Sequence, residues 1–172
     1  VETEIATVHT QTTQATNKKE ATAWCDGFTS SDSSPDAIDK KARALLSAPQ
    51  PRKDAIAEVC PKKKEFAEAF AKDAAGRVVD SDFSCMSDGS SVTVSGTATV
   101  AGPTLASLGS YDVRIGIVVT SGAETSGVAP SDTISMTIPQ GGSAPFSSTV
   151  PDPSNSTGRC AVRTLGLWPS GV

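Results

Sequence analysis

Cys25, Cys60, Cys85 and Cys160 are the residues whose type and spacing say most about chemistry in this chain of 172 residues. No two of them form a C-x-x-C pair, so the usual zinc-ligand spacing is absent. An even number of widely spaced cysteines points to disulfides, and disulfides point to an oxidising compartment. Three pairings are open to four cysteines. Cys25–Cys60 with Cys85–Cys160 is favoured because the composition changes between Cys60 and Cys85. Four buried free thiols are the alternative.

The remaining candidates argue against catalysis. Nucleophilic serine chemistry needs a base held by a third group. The one histidine, His9, falls in a polar N-terminal stretch, and neither G-x-S-x-G nor S-x-x-K occurs. Asp80, Asp82 and Asp88 gather around Cys85, and calcium accepts such oxygens. Their spacing is not that of an EF-hand, and a solvated hinge explains them better. Lys62-Lys63-Lys64 is the one basic run, able to touch an anionic surface or a partner. Glu65 and Glu68 on the same helix favour an internally paired, solvated face instead. Trp168 is either core or an exposed anchor for a partner, and Trp24 packs beside its disulfide. No motif calls for a metal or a cofactor.

These residues need elements to hold them, and the charge distribution divides the chain. Residues 1–76 carry 11 basic and 12 acidic side chains, residues 77–172 only 4 and 7. The first part is rich in Ala, Lys and Glu, which favour helix. The second is rich in Ser, Thr, Val and Gly, which suit strands and tight turns. This predicts a flexible arm or tether over 1–20, or else a strand or helix docked on a partner, then a helical unit over 21–76 and a β domain over 77–172. Ser34-Pro35-Asp36 reads as a helix start. Ile38, Ala42, Leu45 and Leu46 follow on one face, and Pro49 and Pro51 end that helix. A second helix from about Arg52 carries Ile56, Val59 and Cys60. Pro61 either kinks it or opens a third, with Phe66 and Phe70 on one face and Gly76 as C-cap.

In the β part, apolar residues alternate over Val92–Val100, Tyr111–Val119 and Ile134–Ile138. Gly96 interrupts the first run and marks a bulge. Strands near Phe146–Val150 and Cys160–Leu167 complete the set, separated by turns at Gly102-Pro103, Ser121-Gly122, Gly141-Gly142 and Pro151–Gly158. Five to seven short strands so spaced suggest a β-sandwich, with Cys85 just before the first and Cys160 in the last. Asn155-Ser156-Thr157 fits the glycosylation acceptor pattern.

Residues 85–167 resemble the FxLYD-like immunoglobulin-type domain of exported bacterial lipoproteins, especially actinobacterial ones. The features are Cys85, the V-x-V-x-G-x-A-x-V strand of Val92–Val100, Tyr111-Asp112-Val113 leading a long strand, the Pro139–Gly142 turn before Phe146, and Cys160-Ala161-Val162. The family's name motif is absent, and Ala101-Gly102 stands where it has asparagine. The resemblance implies an immunoglobulin-like fold, export, and binding or assembly, with no catalytic residues.

Composition bounds the partners. With 15 basic against 19 acidic residues, net charge −4, the chain has no basic excess for nucleic acid. No apolar run reaches the roughly 18 residues of a membrane helix. The expectation is a non-enzymatic, extracytoplasmic protein of α+β class, secreted or attached to the bacterial cell envelope. It would work through a protein partner, as an accessory subunit of a membrane-bound complex. Membrane contact would come only through that partner or a removed N-terminal anchor. The alternatives are a module binding a small molecule, lipid or cell-wall glycan between helices and strands, and a small hydrolase.

Overall fold

Apart from one short helix over 103–108, helices occupy the Ala-, Lys- and Glu-rich part of the chain and strands the Ser-, Thr- and Val-rich part, in line with local propensity. A computed structural model describes residues 2–73, 78–122, 124–152 and 159–172, with the backbone alone for 2–12 and 79. The helices are α1 (Glu2–Asp26), α2 (Pro35–Leu46), α3 (Gln50–Val59), α4 (Pro61–Asp73) and α5 (Pro103–Leu108). The strands are β1 (Val78–Ser87), β2 (Ser91–Val100), β3 (Tyr111–Thr120), β4 (Asp132–Ile138), β5 (Ala144–Pro151) and β6 (Arg159–Pro169). The class is α+β.

The segment read as a flexible arm is helical from Glu2 and continues as α1 to Asp26. Thr13–Glu20 is mostly exposed, and Glu20 pairs with Arg52 of α3. The His9 side chain lies outside the described residues. α2 starts as its sequence requires. Ser34 Oγ accepts the amide of Ala37 at 3.2 Å, Pro35 stands in the first turn, and Ile38, Ala42 and Leu45 are buried. Leu46 does not join them and is 51 % exposed. At 3.6 residues per turn it lies roughly 80° around from Ile38, at the margin of the stripe. Pro61 opens a separate helix, because the chain breaks at Cys60, whose amide still reaches Ile56 O.

The strands form two three-stranded antiparallel sheets, ordered β1-β2-β5 and β4-β3-β6. The alternating apolar residues of β2, β3 and β5 all turn to one side and are buried. Those of the two sheets belong to a single core. On one flank Cys85 of β1 is bonded to Cys160 of β6, and Val78 N–H donates to Thr164 Oγ1. On the other, Ser148 of β5 donates to Asp132 of β4. The second disulfide joins Cys25 in α1 to Cys60 after α3. On the chain-entropy model each closure stabilises the fold by about 4 kcal/mol.

Three sequence readings are corrected. Cys85 lies inside the first strand, not before it, since β1 starts at Val78. The bulge sits on β1, where Asp82 and Phe83 face the single residue Gly96. Asp82 there adopts φ 52°, and the slip erases the alternation that would have revealed the strand. Gly102-Pro103 is not a plain turn but the start of α5, proline occupying the first helical turn. The Gly76 cap and Asn155-Ser156-Thr157 lie outside the described residues.

Helices and sheets share one interior. Phe28 and Phe66 meet Trp168 of β6 at 5.0 and 5.8 Å between ring centroids, and Phe66 meets Tyr111 of β3 at 5.9 Å. Polar ties reinforce it, one between α4 and α5 and one from β6 to the segment before α2. Asp73 Oδ2 accepts the Leu105 amide at 2.9 Å, and Leu167 N–H donates to Ser33 O at 2.9 Å.

Candidate functional site

α4 presents opposite faces to two surroundings. Phe66, Ala67, Ala69 and Phe70 turn inward and are buried. Beyond them, small residues leave space rather than filling it. An open groove of about 660 Å³ runs between α4 and α5, reaching the end of α2 and the side of α3. Leu46, Ala57, Ala69 and Leu108 give it apolar surface. Ala57 and Ala69 are too short to close the gap between helices, and Leu46 stands half exposed at one end. Glu65 and Lys72 rim it, with Lys64 and Glu68 closed on each other as an i,i+4 pair at 2.5 Å. The arrangement is an apolar slot with a rim of both charges, suited to covering apolar surface on something else.

The lysine triplet divides into three roles. Lys63 is tied inward, its Nζ donating to Cys25 O at 2.8 Å and standing 5.9 Å from the Trp168 ring centre. Lys64 is paired with Glu68. Lys62 lines a smaller recess of about 140 Å³ near Tyr111 and Val172. The run is therefore not one basic patch. Trp168 is only 5 % exposed and packs in the aromatic core, which withdraws it from the surface as a partner anchor. Its indole N–H donates to Val172 O. Trp24 is buried beside Cys25 and donates to Lys41 O.

The acids around Cys85 do not converge. Asp80 and Asp82 lie along the edge strand β1, and Asp88 closes the β1–β2 turn. Its carboxylate accepts the amides of Ser90 and Ser91 and the Ser90 hydroxyl, which hold its pKa below the usual 3.8. Among the described residues no group of three or more His, Cys, Asp or Glu is placed to hold a metal ion. Tyr111 is the most displaced titratable side chain described. Burial, then the negative charges of Asp73 and Glu65, push its phenol well above the ordinary tyrosine range. Its hydroxyl donates to Leu105 O at 2.6 Å, so the group tethers α5 and stays protonated.

α5 and Leu46, both part of the groove, carry no functional signature in the sequence. Leu105 and Leu108, three apart after Gly102-Pro103, are the signal that could have found α5. No family model matches the chain, and no curated protein or solved structure shows significant similarity to it.

Proposed function

We propose that this protein is a non-enzymatic, extracytoplasmic cell-envelope protein that binds a protein partner, as an accessory subunit of a membrane-bound complex. The groove carries the reading: an apolar slot with half-exposed Leu46 and a rim of mixed charge fits an amphipathic helix of another chain. A rigid base suits that role, since Phe66 of α4 packs on Tyr111 of β3, the Tyr111 hydroxyl holds α5 at Leu105 O, and Asp73 ties the two walls to each other. The two disulfides fit an oxidising compartment, and hence export to the envelope.

We further propose that the two sheets form an immunoglobulin-like sandwich of the FxLYD-like type. Lettering the strands A, B, C, C′, E and F turns β1-β2-β5 and β4-β3-β6 into A-B-E and C′-C-F, the order of such folds. The departures are the bridge between β1 and β6, in place of the usual B–F link, and the absence of strands D and G among the described residues.

The test uses the full chain in its native membranes under mild detergent. A photo-crosslinker at Ala57 should yield one discrete adduct, and the same probe at exposed Thr149 on the outer sheet face should not. Leu46→Asp should release the protein from the membrane complex without lowering its melting temperature, because Leu46 is half exposed. Equal labelling from both positions, or full retention of Leu46→Asp, would overturn the reading.

A further inference from the structure

A second concavity lies on the outer face of the β4-β3-β6 sheet, away from the groove. It is a hollow of about 440 Å³, walled by the 3-10 turn Ser30–Asp32. β3 places Asp112 and Arg114 on this face, two residues apart and therefore on one side of the sheet. Thr137 and Trp168 stand opposite Asp112, and Ser135 and Gly166 stand opposite Arg114.

Three features make this more than a pair of surface charges. The β3–β6 register slips between Arg114 and Ile115, passing over Leu165, the kind of irregularity that re-aims side chains beside functional sites. Just past the slip, Leu167 gives its amide to Ser33 O, which fixes the wall to the sheet. Gly166 leaves the hollow open, since a Cβ there would stand 3.1 Å from Ser33 Oγ.

The two charges are prepared differently. Asp112 Oδ1 accepts the hydroxyls of Thr137 at 3.1 Å and Ser170 at 2.9 Å. The carboxylate is held in place, and its second oxygen is without a partner among the described residues. Arg114 has no ion pair or hydrogen bond from its guanidinium among the described residues. Opposite charges on one strand face, about 6.6 Å apart along it, thus stand open to the same space without closing on each other.

We propose that this hollow binds a small zwitterion of the α-amino-acid class, a further site beyond the groove. The Arg114 fork takes the carboxylate through two N–H donors, the geometry a guanidinium offers best. Ser135 and Ser30 supply hydroxyls beside it. The free oxygen of Asp112 takes the ammonium. A phosphate would be repelled by Asp112, and a neutral sugar would leave the guanidinium donors underused.

Isothermal calorimetry on the full chain, with tryptophan emission as a second readout because Trp168 lines the hollow, tests this. The probes are glycine, L-alanine, D-alanine, N-acetyl-alanine, alanine methyl ester, inorganic phosphate and glucose. Saturable binding of at least one free amino acid is expected. Its N-acetyl and ester forms, each lacking one charge, should bind about tenfold weaker or less. Arg114→Gln and Asp112→Asn, both at exposed positions, should each cause a comparable loss while the thermal transition is kept. Gly166→Ala should weaken binding with both charges intact. Binding of phosphate or glucose alone, no saturable response to any amino acid, or unchanged affinity in the two charge variants would overturn the proposal.

Discussion

Asp88 and Asp132 hold their protons less tightly than ordinary carboxyl groups, and each for a local reason. The amides of Ser90 and then Ser91 act on Asp88; the Ser148 hydroxyl and then the Thr133 amide act on Asp132. A depressed folded-state pKa means the ionised form stabilises the fold. That contribution is present above the unfolded value near 3.8 and is lost as pH falls through it and through the lower folded value. Urea midpoints should therefore stay level from neutral pH down to about 4.5 and fall below about 4. In an Asp88→Asn, Asp132→Asn double variant the acid limb should be shallower. An identical limb in both proteins would refute the assignment. Asp132 matters beyond its own turn, because its Ser148 contact is a link between the edges of the two sheets.

At the scale of elements, α5 is the least self-sufficient piece. It has six residues, too few to be stable alone, and its N-terminal amide at Leu105 is satisfied by Asp73 at the end of α4. That carboxylate acts as a cap supplied by another helix. Asp73→Ala should cost about 1 kcal/mol, within the usual range for a lost cap, and should loosen α5 more than the sheets. Hydrogen exchange would show it as faster exchange confined to 103–108 and the adjoining end of α4. Gly102 is bound to the same contact. Its φ of 98° and a Cβ position overlapping Asp73 Oδ2 leave no room for a side chain. α5 is legible in the sequence only in part, because its capping partner is 32 residues away.

On the scale of the whole molecule, Phe66 joins the two halves. It touches Phe28 and Phe70 on the helical side and Tyr111 and Trp168 on the sheet side. Phe66→Ala should destabilise the protein by about 3–5 kcal/mol through transfer and cavity terms. The loss should appear in one transition, with far-UV and tryptophan signals moving together. Two separate transitions would mean that helices and sheets fold independently. The shared core also gives the groove and the sheet-face hollow a common rigid frame.

Local chain chemistry set the helical character of 21–73, the Ser34 cap, the alternating strands over 92–100, 111–119 and 134–138, and a preference among the three disulfide pairings. Each rests on neighbours in the chain, on short repeats of 2 or 3.6 residues, or on a change in composition. The tertiary structure decided the rest. It buried Trp168, tied Lys63 to Cys25 O, left Leu46 at the surface, and placed β1 beside β2 across a bulge that hides its pattern. It also made both concavities, one from alanines on packed helices and one from a glycine opposite Arg114. Such features depend on which distant surface arrives at a residue, and no local periodicity records that.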